Sequence, residues 1–290
     1  MINIPFFDDR YPVRTVITEK ADYQEGADWD VGPYMRYFRD AGKLPIERMV
    51  LAKETHSGNV LVIDEADPDG RLEYVDESRT IREAGGFDSV ITDLPGILLS
   101  IRTADCTPVF LYDTAQGVIA MIHSGWRGAA GAIAAHTIKV MERCFHSKPG
   151  NLVGAIGPCI CGHCYEVGEE LREEFHMRFS EEEMNRIFRP CHHPGLKEES
   201  LSGPAASSIN GTGHFPDTDH GSSAGRDRRK KYFLDVKEVI RRDLLCAGLA
   251  RENLYDTGIC SYESKNFASY RRDGRMGFWR QTLSGIMLLK

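Results

Sequence analysis

Residues 103–128, TADCTPVFLYDTAQGVIAMIHSGWRG, constrain this chain more than any other stretch. Two apolar runs flank the short polar turn Asp113-Thr-Ala-Gln-Gly117, the pattern of a hairpin between buried strands. Pairing about Ala115 makes residues face each other when their numbers sum to 230. Cys106 and His123 then miss direct opposition by one residue. Side chains alternate between faces, so a bulge or a slightly different turn must supply that residue before the two can meet. Cross-strand neighbours stand roughly 5 Å apart, close enough for a thiolate and an imidazole to share one metal ion or to act on each other.

The rest of the composition bounds the class of protein. At 290 residues, with 41% hydrophobic and 27% charged residues, the chain has an ordinary globular make-up. A net charge of -7 argues against nonspecific nucleic-acid binding, which needs a basic surface. The opening, MINIPFFDDRYPVRTV, lacks a basic segment followed by an apolar core, so no secretory leader is expected. No apolar run approaches the ~20 residues that span a bilayer, so no membrane partner is expected. Eight cysteines in such a chain are expected to stay reduced, which points to the cytoplasm.

Strand-like runs lie at 49–52, 59–64, 89–92, 97–102, 108–112 and 118–122, each bounded by Gly, Pro or Asp. Residues 131–145 read as a helix with Ile133, Thr137, Ile138, Met141 and Phe145 on one face. A strand at 151–156 follows, then helices at 166–179 and 181–188. Residues 195–231 are rich in Ser, Gly, Asp, His and Arg and read as an exposed polar insertion that need not be ordered. Beyond it, Asp235 caps a helix that Gly248 closes, 253–260 reads as a strand, and a hairpin about Asp273-Gly274 leads into a terminal strand at 278–289. Strands and helices mix without regular alternation. The expected fold is α+β, a single domain over 1–290 with mixed sheets flanked by helices.

A metal needs a third ligand, and His56 in KETHSGNVLVI, just before a strand-like run, is the best placed. His56, Cys106 and His123 offer two imidazole nitrogens and one thiolate, a donor set suited to zinc with a fourth position open. The competing reading is a buried free cysteine with two satisfied histidines. After His123, Ser-Gly-Trp-Arg-Gly brings backbone and Arg127 within reach of an anion such as phosphate. Tyr270-Arg271-Arg272-Asp273-Gly274 forms a second polar cluster, read either as a charged hairpin tip or as a substrate-facing loop. In Gly157-Pro-Cys-Ile-Cys-Gly-His-Cys-Tyr165, the residues Cys159, Cys161, His163 and Cys164 lie close enough to hold a metal, with Cys191, His192 and His193 as further donors. That loop lacks the second well-spaced pair of a zinc ribbon, and packed thiols are the simpler account.

HSGNV, DSVITDLPG, TADCTPV, HSGWRG, AIGPCI, CYEVG and SYRRDG, in this order, resemble the laccase-domain family. That family is also called the multicopper polyphenol oxidase, and now the purine nucleoside phosphorylase, family. The resemblance runs from about Met49 to the end, apart from the insertion. It implies an α+β catalytic domain with one zinc on the histidine of the first motif, the cysteine of TADC and the histidine of HSGWRG, here His56, Cys106 and His123. It also implies phosphorolysis of purine nucleosides (adenosine, inosine, methylthioadenosine), with adenosine deamination as a second activity. Purine nucleosides and phosphate are then the partners. Arg36, Asp88, Arg127 and Arg271 become the residues expected at substrate or phosphate, and Asp88 and Asp105 the nearby carboxylates.

The chain departs from the family pattern at Glu54-Thr55-His56, where the family reads Gln-Val-His, and at Met35-Arg36, where it carries Asn-Arg. Three rivals follow from the same residues. A coupled copper cluster is built from many histidines in His-x-His pairs, and the ten histidines here include none. Copper can still displace zinc in vitro, because it binds nitrogen and sulfur more tightly. A metal-free cysteine hydrolase would use Cys106 as nucleophile and His123 as base, leaving His56 without a role. A noncatalytic nucleoside-binding protein is the third, with the Asn-to-Met change as its best support.

Overall fold

The computed structural model describes residues 1–22, 32–40, 42–64, 72–74, 80–191, 230–274 and 281–290. Two six-stranded sheets dominate it. The first has the order β1 (Val13–Ile17), β15 (Thr282–Leu288), β7 (Ile97–Thr103), β2 (Arg48–Lys53), β5 (Ile81–Gly85), β4 (Leu72–Tyr74). The second runs β14 (Leu254–Asp256), β10 (Leu152–Ile156), β8 (Thr107–Asp113), β9 (Val118–Ser124), β6 (Ser89–Thr92), β3 (Val60–Val62). Both mix parallel and antiparallel pairs. A small antiparallel sheet joins β11 (Glu166–Gly168), β13 (Lys231–Leu234) and β12 (Phe188–Pro190). The architecture is α+β, as the mixed strand and helix pattern predicts.

The alternation of side chains sorts these sheets into layers. From β8, Val109 and Leu111 face one core, with Val118, Ala120 and Ile122 of β9. Phe110 and Tyr112, with Ile119 and Met121, face another, where they meet Val50, Leu99, Ile101 and Ile286 of the first sheet. Two helices close the outer side of the second sheet: α4 (Ile133–Phe145) and α7 (Val236–Cys246). Helix α2 (Gly32–Asp40) closes the outer side of the first with Tyr34, Met35 and Phe38. Strands covered on both faces read as continuous apolar runs, and this is why β7, β8 and β9 stand out in the sequence. The remaining helices are short: α1 (Pro5–Asp8), α3 (Trp126–Ala130), α5 (Glu169–Glu173), α6 (Glu181–Ile187) and α8 (Tyr270–Asp273). No helix among the described residues is long and apolar enough to cross a membrane.

Several expectations need correction. The β8–β9 register pairs Thr107 with Ser124, Pro108 with His123 and Asp113 with Val118, so opposed numbers sum to 231 rather than 230. The turn is responsible. Asp113 Oδ1 accepts the N–H groups of Ala115 and Gln116 at 2.8 and 3.1 Å, and Gly117 adopts φ +67°. Cys106 therefore sits two places from the residue opposite His123 and points to the same face, with no bulge required. The helix expected at 166–179 is a strand followed by the single turn α5, because β13 returns beside 166–168 and takes its backbone hydrogen bonds. The expected hairpin about Asp273-Gly274 is instead α8, capped by the Ser269 hydroxyl, which accepts the Arg272 N–H at 3.2 Å. The strand after it pairs with the distant β1 and β7; positions 278–280 lie outside the described residues. The strand expected at 253–260 covers only Leu254–Asp256.

Lys231 opens β13, so it does not belong to the stretch expected to be a polar insertion; residues 195–229 of that expectation lie outside the described residues. Pro190 pairs with Tyr232 across β12 and β13, and the Cys191 N–H donates to the Lys231 carbonyl at 3.0 Å.

Phe110 is fully buried between the two large sheets. Phe110→Ala should lower the unfolding free energy by about 3–5 kcal/mol through lost transfer energy and the cavity left behind. Denaturant unfolding of the purified variant measures this directly.

Candidate metal centre

The centre of the site is a carboxylate. Asp88 precedes β6, is completely buried, and receives hydrogen bonds on both oxygens. Oδ2 accepts the Thr55 N–H at 3.2 Å, the Ser57 N–H at 2.7 Å and the Ser57 hydroxyl at 2.7 Å. Oδ1 accepts the His56 N–H at 3.0 Å and His123 Nδ1–H at 2.8 Å. Three successive N–H groups converge on one anion only if the chain curls, and His56 does so at φ +56°, in the left-handed region. Burial alone would raise the Asp88 carboxyl. The hydrogen bonds from His123 and Ser57 outweigh it and hold the group down at about 2.

This arrangement orients both histidines. Asp88 accepts the hydrogen bond from His123 Nδ1–H, which leaves Nε2 as its ligand atom. The rings of His56 and His123 stand edge to face with centroids 5.0 Å apart. Cys106, just ahead of β8, brings Sγ to 3.7 Å from His56 Nε2. One donor atom from each of His56, Cys106 and His123 lies within 4.8 Å of the others, a grouping that can hold a metal ion. The neighbouring backbone is shaped to this cluster. A Cβ on Gly125 would stand 2.8 Å from His56 Cδ2 and 3.1 Å from Cys106 Sγ, so only glycine fits against the ligands.

Electrostatics tie Cys106 to His123. Burial resists both charges, but each stabilises the other. Cys106 is brought down to about 6 by His123 and His56. His123 is held above its ordinary value by the Cys106 charge and by Asp88. Glu54 is half-buried near His123, with Oε1 accepting the Arg102 N–H at 2.6 Å, and burial pushes its carboxyl up.

The other expected residues divide. Asp88, expected at the substrate, is completely buried with both oxygens engaged by residues 55–57 and His123. Asp105 adopts φ +88°, and its carboxylate is engaged as well, accepting the Ser261 hydroxyl and the Arg271 N–H, both at 2.7 Å. That anchor carries the Arg271 side chain over the ring of Tyr165, 5.2 Å from its centroid. Arg127 is exposed and stacks on Trp126 at 4.3 Å. Arg36 lies on the exposed side of α2, while its neighbour Met35 is buried in the third core cluster. Tyr165 escaped the reading of the sequence, although its motif, CYEVG, was in view. Burial and then the Cys106 charge push its hydroxyl up to about 12, while the Arg271 and Arg127 charges act in the other direction.

The family model described as multi-copper polyphenol oxidoreductase laccase matches residues 26–203 and 205–287. A purine nucleoside phosphorylase of Bacteroides thetaiotaomicron is 32% identical over 84% of this chain and 74% of its own length. A purine nucleoside phosphorylase of Deinococcus radiodurans is 40% identical over 73% and 69%. A protein named adenosine deaminase RL5, from an unknown prokaryotic organism, is 31% identical over 79% and 71%. The crystal structure of YlmD from Geobacillus stearothermophilus shares the fold with a TM-score of 0.70, at 24% identity, over 99% of this chain and 94% of that one.

Two outcomes test the site. Asp88→Asn replaces an acceptor of converging N–H groups with a side chain that also donates. It should weaken binding of added zinc roughly 10- to 100-fold, measured by competition with a chromogenic chelator. After chelation, Cys106 should alkylate faster as pH rises through about 6, where its thiolate forms. An ordinary thiol would show that rise near ~8.5. Peptide mapping of iodoacetamide-treated protein reads the profile at this one cysteine.

Proposed function

Because the chain belongs to the multi-copper polyphenol oxidoreductase laccase family and its relatives bear nucleoside-enzyme names, we propose that it is a zinc-dependent purine nucleoside phosphorylase. Adenosine, inosine and methylthioadenosine are the proposed substrates, with adenosine deamination as a second activity. One observation carries the reading. His56, Cys106 and His123 gather their donor atoms within 4.8 Å of one another, with Tyr165 near enough to feel the Cys106 charge and Arg271 over its ring.

The family description names copper, which binds nitrogen and sulfur donors more tightly than zinc does; the reading of zinc rests on the three-ligand set with a fourth position open. One thiolate and two imidazoles, with a glycine pressed against them, make a compact three-ligand set of the kind zinc takes in catalytic sites. When bound, zinc supplies Lewis-acid polarisation of the substrate and a net positive charge to the pocket. The chain's own groups do the rest. Arg127 and Arg271 hold the phosphate by charge and orientation. Tyr165 keeps its proton at neutral pH and offers an O–H donor beneath Arg271. In phosphorolysis a phosphate oxygen bonds to the anomeric carbon as the glycosidic C–N bond breaks. The departing purine nitrogen keeps the electron pair and takes up a proton.

A second reading has its own observation. The lowered Cys106 beside a raised His123 also has the make-up of a nucleophilic thiol and its base. Zinc decides between the two readings. Protection of Cys106 from alkylation by added zinc supports the metal site, and unchanged reactivity supports the hydrolase.

Incubation of the purified protein with adenosine, with and without phosphate, tests the activity. Adenine and ribose 1-phosphate should form only with phosphate, and inosine should form without it. Chelation should abolish both, and zinc should restore them. Neither product from protein with zinc bound would end the enzymatic reading, and purine binding without turnover would then leave a nucleoside-binding protein.

A further inference from the structure

A second group of cysteines lies apart from His56, Cys106 and His123. The chain leaves β10 at Ile156 and turns through 157–165, where the sequence places three cysteines. Cys159 forms a parallel bridge with Cys260: the Cys159 N–H donates to the Ile259 carbonyl at 3.3 Å, and the Ser261 N–H donates to the Cys159 carbonyl at 3.0 Å. This bridge brings Cys260 to the turn in which the N–H groups of Cys164 and Tyr165 donate to the Cys161 carbonyl at 3.0 and 3.2 Å.

The four side chains then converge. Cys161 Sγ and Cys164 Sγ are 3.5 Å apart, and Cys164 Sγ is 3.6 Å from Glu263 Oε1. One donor atom from each of Cys161, Cys164, Cys260 and Glu263 lies within 4.8 Å of the others. The Cys161 N–H points at Cys260 Sγ over 3.4 Å, the contact that a thiolate bound to a cation accepts. Sulfur and oxygen ligands at zinc's bond lengths, placed tetrahedrally, stand roughly 3.3–3.8 Å from one another. The two distances fall in that window.

We propose that Cys161, Cys164, Cys260 and Glu263 hold a second divalent cation of zinc's class, in a structural role. Three thiolates and a carboxylate select a borderline-soft ion over magnesium or calcium. Binding releases the three thiol protons and leaves all four ligands anionic. Packing of inert thiols, the simpler account from sequence, fits Cys159, which is 1% exposed within an apolar cluster. Cys260 is buried as well, at 8% exposure, but Cys161 and Cys164 are half-buried and Glu263 is exposed, which packing does not explain and which lets an ion reach the cluster from solvent. His163 stands apart, 3.3 Å from an Arg189 nitrogen. Cys191 is not part of the cluster, and His192 and His193 lie outside the described residues.

The cation would fasten two loops that both lean on Asp105. The Ile160 N–H donates to the Asp105 carbonyl at 3.0 Å, and Ser261 and Arg271 bind its carboxylate. Tyr165 follows Cys164 directly and lies under Arg271. The ion would thus set the position of Tyr165 and Arg271 relative to Cys106. It does not depend on what the His56 cluster binds or catalyses.

Native mass spectrometry and elemental analysis of the full chain, purified under reducing conditions with added zinc, test this. One zinc per chain should disappear in the Cys161→Ser/Cys164→Ser double variant, while Cys106→Ser leaves that zinc in place. Unchanged zinc content in the double variant overturns the proposal. So does an intact mass for the parent protein short by the two hydrogens of a Cys161–Cys164 disulfide. Glu263→Gln, on the exposed side, provides the test if the double variant fails to fold. It should weaken retention of this zinc against a chelator by roughly 10- to 100-fold, and unchanged retention overturns the proposal equally.

Discussion

The whole site hangs on one buried negative charge. Asp88 draws the N–H groups of residues 55–57 into a curl, fixes the tautomer of His123, and thereby aims two imidazoles from distant parts of the chain at one point. An isolated carboxylate at that depth would be neutralised by protonation. Here the surrounding donors keep it ionised, and the same donors are the groups that must be held still. Charge stabilisation and geometric precision are therefore one set of contacts.

The backbone carries strain at the two positions where this set meets the ligands. His56 and Asp105, neither of them glycine, have positive φ angles, each worth on the order of 1–3 kcal/mol. Each conformation is held by a carboxylate, that of Asp88 in one case and that of Asp105 itself in the other. Between them the packed β8–β9 pair provides a platform that does not yield. Gly125 completes it from the opposite strand, lying so close to His56 and Cys106 that any side chain there would push the ligands apart.

What could be read in advance follows from which forces are local. The strands β7, β8 and β9 were legible because burial on both faces leaves uninterrupted apolar runs. Their register was not, since it turned on how the Asp113 side chain folds the next three residues. Cys106 and His123 were legible as a pair through that hairpin. His56 was marked by its place before a strand-like run and strengthened by family resemblance; the contact that places it, to Asp88, spans unrelated segments and was not legible. The donors that engage Asp88 were not legible: a carboxylate in a motif says nothing about how many donors will surround it. Tyr165, Cys260 and Glu263 gave no local sign, for their roles come from loops that meet only in the folded chain. Likewise the Glu-rich stretch after Tyr165 has helical propensity, but a partner strand beyond the insertion claims its first residues.

The way the chain departs at β12 and returns at β13 has a consequence for the length of chain that can lie between them. Pro190 and Tyr232 are cross-strand neighbours, so the excursion between them begins and finishes at one spot on the surface. Closing a detour whose ends already touch grows harder only slowly with length, by about 0.6 kcal/mol for each doubling. Segments of widely different size can thus be accommodated at this doorway while the two large sheets keep their form.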